Sequence, residues 1–246
     1  MTLASLPMYW RAETAAYWQS FWSVVQDCAA DDGMSLPDLT PPDALPSDWH
    51  AHWRSPDLVL SMTCGLPFRT ALRDQVAYVG TLDFGLGGPV GHYHSQVIAR
   101  RDLTGSPRTL AFNSADSQSG WAAAQDLPDR AGITTFRATG SHAASLAAVA
   151  EGSADIACLD AVTWRILKAV DPNAARVVAR STTRPTPGLP LITARGSDPA
   201  PLRQVLSRAV TRFTAPASGP MGAAPGFCVL DEQTYLQEPI PAPPPA

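Results

Sequence analysis

Small hydroxyl residues follow two neighbouring apolar runs of this chain. The first group, Asp116-Ser117-Gln118-Ser119-Gly120-Trp121, comes after the strand-like run 109–113 and opens a predicted helix. The second group, Thr139-Gly140-Ser141-His142, repeats that arrangement one strand and one helix later. The start of a helix presents unpaired backbone N–H groups and the positive end of its dipole. The two groups together therefore predict a site for a small anion, held without a requirement for arginine.

Each of these residues also has a purely structural interpretation. Serine is a common N-cap residue, so Ser117 and Ser141 can simply cap their helices. His142 can be a solvated histidine of the first turn instead of a donor to the anion. Asp160 follows the predicted strand 155–159, at the end where ligands bind in open α/β sheets. It either meets a cationic group of the ligand or caps the helix that begins at Ala161.

Catalytic and metal-binding patterns are not found. The serines have no plausible base and orienting group, and GxSxG, Walker A and HExxH motifs are lacking. Two histidine pairs show i, i+2 spacing: His50 with His52 and His92 with His94. On a strand this spacing would turn both rings the same way, but no third metal ligand is implied. The sequence therefore predicts a binding protein with no catalytic residue, metal or cofactor.

Composition restricts the partners and the compartment. The net charge is −4 and the 18 basic residues are scattered, which argues against nucleic acid. We expect no membrane span. No basic segment followed by an apolar one precedes the first strand, so the protein is expected in the periplasm if a signal was removed, and otherwise in the cytoplasm. Four cysteines without CxxC spacing are expected to be buried thiols, and a disulfide stays open: Cys28, Cys64, Cys158 and Cys228.

Apolar runs and helical stripes alternate along the chain, which predicts an α/β fold of two lobes with mostly parallel central sheets. Four glycines in 85–91 indicate a crossing between lobes, and the Pro- and Gly-containing segment 182–190 would lead back. We therefore assign 1–90 and 191–246 to lobe 1 and 91–190 to lobe 2, with the ligand cleft between them. The proline-rich tail after Glu238 is expected to be unpacked.

Several stretches together resemble the substrate-binding proteins of phosphate, phosphite and phosphonate ABC importers. The likeness covers most of Leu3 to Phe213 and is strongest from Ala111 to Asp160. The stretches that carry it are Leu3–Tyr9, Thr63-Cys64-Gly65, Gly91-His92-Tyr93-His94-Ser95, Ala111–Asn113 with Asp116–Trp121, Thr139–Gly152 and Ala154–Asp160.

The resemblance implies a type II periplasmic-binding-protein fold with a two-segment hinge. It further implies that a phosphonate or phosphate-like ligand is gripped by Ser117, Ser119, Gly120, Ser141 and His142. Asp160 would read an amine on the ligand, and Tyr9, Thr63 and Tyr93 would complete the ligand set. A monomer that serves an ABC permease is expected. The alternatives are a cytoplasmic ligand sensor and an enzyme built on the same fold.

Overall fold

The computed structural model describes residues 2–245 of the 246-residue chain. The chain divides into two compact units. The first comprises Met1–His92 and Pro187–Glu238, and the second comprises Tyr93–Thr186 and Pro239–Ala246.

Helices separate the strands over parts of the described chain, as the sequence predicts. The strands between residues 76 and 112 and those between residues 177 and 194 instead follow one another with no helix between them. The strands are β1 Leu3–Ser5, β2 Leu58–Met62, β3 Val76–Asp83, β4 His92–Tyr93, β5 Ser95–Arg100, β6 Thr109–Phe112, β7 Thr135–Ala138, β8 Ile156–Asp160, β9 Val177–Thr182, β10 Thr186–Pro187, β11 Pro190–Ala194 and β12 Gly226–Cys228. The α-helices are α1 Ala15–Ala30, α2 Trp49–Trp53, α3 Gly65–Arg69, α4 His142–Glu151, α5 Ala161–Val170, α6 Ala200–Arg212 and α7 Glu232–Leu236.

The first unit is built on a five-stranded sheet of order β1-β2-β11-β3-β12. β1 pairs in parallel with β2, whereas β11 is antiparallel to both β2 and β3. The strands β1, β2 and β3 therefore run in one direction, and β11, which lies between β2 and β3, runs in the opposite direction. On α1, Trp18 and Phe21 are fully buried, and Phe21 meets the ring of Phe213 edge to face. This aromatic packing holds α1 against the C-terminal end of α6.

The second unit contains a five-stranded sheet of order β7-β6-β8-β5-β9. β6 is parallel to both β7 and β8, while β5 is antiparallel to β8 and β9. Four of the five strands thus run the same way. Alternate side chains of the strands enter two separate cores. One core contains Ile98, Ala111 and Leu146, and the other contains Val97, Leu110, Phe112 and Trp121.

Three local predictions are corrected by the structure. The segment opened by Ser117 is a five-residue π-helix, Gln118–Ala122, followed by a 3-10 turn, and not an α-helix. His50 and His52 lie on α2 and not on a strand, so the i, i+2 spacing does not bring their rings together. The tail is packed: the indole Nε1 of Trp121 donates to the carbonyl of Ala242 at 2.8 Å, which places the tail on the second unit instead of lobe 1.

No helix in residues 2–245 is both long enough and apolar enough to cross a membrane. The four cysteines are free thiols, and only Cys228 is partly exposed.

Candidate functional site

The parallel strands β6, β7 and β8 end at one edge of the second sheet. Phe112 and Ala138, the last residues of β6 and β7, are paired in the parallel register, and β8 ends at Asp160 beside them in the sheet order. The polar segments that follow the three strands therefore leave the sheet at the same edge, as predicted for the carboxyl ends of parallel strands.

The first of these segments is held by Ser117. Its hydroxyl accepts a hydrogen bond from the Gly120 backbone N–H at 3.0 Å, and its carbonyl accepts from the N–H groups of Trp121 and Ala122. Ser117 and Ser119 are both buried, with hydroxyl oxygens 3.5 Å apart. Because the Ser117 hydroxyl serves as the acceptor in this cap, its proton can be donated to a third group.

The second segment opens α4. Ser141 is the N-cap residue, and its exposed hydroxyl accepts from the Ala144 N–H at 3.1 Å. The helix ends at Gly152, whose φ of +83° suits the left-handed C-cap conformation. Thr139 ties this loop to the sheet, since its hydroxyl donates to the carbonyl of Phe112 at 3.0 Å. Like Ser117, Ser141 retains a hydroxyl proton that it can donate to an anion.

A direct side-chain contact joins the two segments. The Ser119 hydroxyl and the Nε2 atom of His142 are 2.9 Å apart, although 23 residues separate them in the chain. Burial lowers the pKa of His142 to about 4, so the imidazole is neutral at physiological pH. In the tautomer with the proton on Nε2, His142 donates to Ser119, and the Ser119 proton is directed elsewhere. The pair can thus present a hydroxyl donor to an anion without a formal positive charge.

Gly120 lies against the side chain of Asn113. A Cβ atom at this position would collide with the Asn113 side-chain oxygen, so that side chain would have to shift. Asn113 also connects the two segments, because its backbone carbonyl accepts from the Gly140 N–H at 2.9 Å. The absence of a side chain at Gly120 therefore lets the first segment approach the end of β6.

Asp160 acts as the N-cap of α5. Its Oδ1 atom accepts from the Val162 N–H at 2.8 Å and from the Thr163 N–H at 3.1 Å. The side chain is buried. Of the two interpretations open in the sequence, the capping role is the one present in the structure, and recognition of a ligand amine stays a prediction.

The remaining predicted ligand residues are buried aromatic and hydroxyl side chains. In the first unit, Tyr9 ends a 3-10 turn and meets Phe84 edge to face, with ring centroids 5.3 Å apart. Thr63 follows β2 and is fully buried, and its hydroxyl has no hydrogen-bond partner among the described residues. Tyr93 is buried at the start of the second unit. Their part in ligand binding stays a prediction.

A second serine–histidine cluster, in the first unit, was not identified from the sequence. The Ser5 hydroxyl lies 2.8 Å from His52 Nε2 and 2.8 Å from the Ser61 hydroxyl, and all three residues are buried. Burial lowers the pKa of His52. Alternate positions of β1 and β2 place the serines on one face, but the sequence has no signal that brings α2 over them. No carboxylate is among these partners, and this cluster joins β1, β2 and α2 structurally.

The described side chains contain no cluster suited to a metal ion. Within the described part of the chain, no three His, Cys, Asp or Glu side chains lie close enough to hold a metal ion.

Residues 88–221 match the family described as "ABC transporter, phosphonate, periplasmic substrate-binding protein". This match covers more than half of the sequence. The chain belongs to that family. The family indicated by the sequence resemblance is therefore confirmed, and so is the prediction of a substrate-binding protein of the phosphonate class.

Solved structures show the same fold at low sequence identity. PhnD1 from Prochlorococcus marinus, in complex with methylphosphonate, is 14% identical with a TM-score of 0.67, over 95% of this chain and 94% of that chain. XAC2383 from Xanthomonas citri, bound to chloride ion, is 19% identical with a TM-score of 0.65, over 96% and 95%. The phosphonate-transporter binding protein PA3383 from Pseudomonas aeruginosa is 15% identical with a TM-score of 0.64, over 95% and 82%. A comparison with curated protein sequences returns no match.

These similarities confirm the predicted type II periplasmic-binding-protein fold. The residues that match the family include both hydroxyl-bearing segments and Asp160. The sequence therefore identified the correct family and the segments at one sheet edge, whereas the contacts among them are known only from the structure.

Proposed function

We propose that this protein captures a phosphonate or phosphate-like anion and delivers it to an ABC permease. The observation that carries the proposal is the 2.9 Å contact between Ser119 and His142, which brings two hydroxyl-bearing segments together at the sheet edge. Both Ser117 and Ser141 accept a backbone hydrogen bond and retain a proton to donate. A cluster of neutral donors suits an oxyanion that must be bound and then released.

The ligand class is supported by the similar PhnD1 structure, which holds methylphosphonate. Within the proposed site, Ser117, Ser119, Ser141 and the Gly120 segment bind the oxygens of the anion, and His142 assists through Ser119. Asp160 then discriminates among ligands, because a carboxylate attracts a ligand amine and repels a second anionic group. The protein acts as a monomer in the periplasm and carries out no catalytic step.

Isothermal titration calorimetry with methylphosphonate, phosphate and 2-aminoethylphosphonate tests the ligand class. We expect binding of at least one phosphorus oxyanion, with sulfate as the control for shape. Absence of heat with all three phosphorus compounds would refute the proposal. Ser141→Ala removes one hydrogen bond to a charged group and should weaken binding about ten- to a hundredfold, from roughly 1.5–3 kcal/mol per such bond.

Two further variants separate binding from folding. Ser153→Ala is the matched control, because the Ser153 hydroxyl also makes one local bond, to the Ala148 carbonyl, outside the proposed site. It should bind like the parent protein. Asp160→Asn keeps the side-chain oxygen that caps α5 but removes the charge. It should weaken the binding of 2-aminoethylphosphonate and leave the binding of methylphosphonate unchanged. An equal loss of affinity for both ligands would contradict recognition of the ligand amine by Asp160.

A further inference from the structure

Ser95, the first residue of β5, contacts the first hydroxyl-bearing segment. It is almost completely buried, and its hydroxyl donates to the backbone carbonyl of Ser119 at 2.9 Å. A buried carbonyl without a donor is energetically costly. Ser95 thus supplies the hydrogen bond that holds the Ser119 backbone, while the Ser119 side chain faces His142.

The same part of β5 also holds the segment after β8. Ser95 is paired with Asp160 in the antiparallel register of β5 and β8. The carbonyl of the preceding residue, His94, accepts from the Ala161 N–H at 3.1 Å. Two adjacent residues, His94 and the first residue of β5, therefore hold the backbone next to Asp160 and the Ser119 carbonyl, respectively.

Ser95 is connected to both crossings of the chain between the units. It lies two residues after the first crossing, which falls between His92 and Tyr93. Its N–H donates to the Thr183 hydroxyl at 2.9 Å, and its carbonyl accepts from the Thr183 N–H at 2.9 Å. Thr183 in turn lies three residues before the second crossing, at Thr186 and Pro187. The chain segments next to the two crossings therefore meet at Ser95.

We propose that Ser95 is a positioning residue for anion binding, which acts through the Ser119 backbone and links the anion-binding segment to both crossing segments. Ser95 does not bind the anion itself. Its effect on affinity rests on the function proposed above, whereas its effect on the Ser119 segment does not depend on any ligand. The two effects can therefore be measured separately.

Hydrogen exchange of the ligand-free protein tests the positioning directly. In Ser95→Ala the amides of 117–122 should exchange about tenfold faster than in the parent protein, because the segment loses the bond that holds its carbonyl. Ser153→Ala, which also loses one hydroxyl-to-carbonyl bond, should leave these amides unchanged. Unchanged exchange in Ser95→Ala, or equal acceleration in both variants, would overturn the proposal.

Titration with methylphosphonate tests the consequence for binding. Ser95→Ala should raise the dissociation constant about three- to tenfold, as expected for one neutral hydrogen bond. Ser95→Thr restores a hydroxyl with a side chain suited to a strand, and should return the affinity towards that of the parent protein. Affinity in Ser95→Ala equal to the parent value would overturn the proposal. If the parent protein binds no phosphorus oxyanion, the proposed function fails, and the exchange result still decides the role of Ser95.

Discussion

His142 should make the second unit less stable in acid. Burial lowers the pKa of the folded-state imidazole to about 4, whereas an unfolded histidine has a pKa near 6.5. Between these two values the unfolded chain binds a proton that the folded chain does not. The free energy of unfolding therefore falls as the pH drops below about 6.5, and this contribution levels off below about pH 4.

The magnitude follows from these two pKa values. Between pH 7.5 and pH 5, the difference in proton binding lowers the free energy of unfolding by about 2 kcal/mol. A protonated imidazole still donates from Nε2 to the Ser119 hydroxyl, as the neutral tautomer with its proton on Nε2 does, so this contact is kept. The charged imidazole is costly to bury, however, and burial is the cause of the lowered pKa.

Urea unfolding of the ligand-free protein at pH 7.5 and pH 5 measures this effect. His142→Gln retains an amide that can reach Ser119 but does not titrate, so its loss of stability in acid should be smaller than that of the parent by about 2 kcal/mol. His52 contributes in the same direction in both proteins and cancels in the comparison. Ser153→Ala should show the parent pH dependence. The reasoning is refuted if His142→Gln loses as much stability as the parent between the two pH values.

Two further perturbations test the packing around the site and the first crossing. Deletion of residues 239–246 removes the acceptor of the Trp121 indole N–H. The free energy of unfolding, followed by thermal unfolding, should fall by about 0.5–1.5 kcal/mol. An unchanged midpoint would contradict a packed tail. Gly91→Ala should lower the midpoint more than Gly87→Ala. Both glycines have positive φ, but only at Gly91 would the new Cβ atom collide with another atom, the Cys228 sulfur. Equal losses in the two variants would refute crowding as the cause.

Local sequence signals predicted most of the elements. The run Leu58–Met62, apolar except for Ser61, has the composition of a buried strand and is β2 to the residue, because buried strands need no polar alternation. A serine before the apolar stripe of α4 and a glycine after it are typical signals for the two ends of a helix, and Ser141 and Gly152 have those capping roles. The order of these signals along the chain was also sufficient to predict the α/β class, whereas the family was predicted from the resemblance of the stretches named above.

The segment after β6 shows where local signals are insufficient. Serine, glycine and tryptophan at 117–121 are compatible with an α-helix, yet the segment forms a π-helix. Its geometry depends on distant partners: Ser95 bonds the Ser119 carbonyl, and the tail accepts from the Trp121 indole. A propensity of a few tenths of a kcal/mol per residue is easily outweighed by such contacts.

The sequence by itself determined which residue types follow the parallel strands, and these residue types predicted an anion site at that edge. Only the tertiary structure decided how they are used. Asp160 caps α5, Ser119 meets His142 across 23 residues, and Ser95 holds the Ser119 backbone. The reason is physical: strand and cap signals depend on neighbours within a few residues, whereas a hydrogen bond between distant side chains exists only after the sheet has set its register.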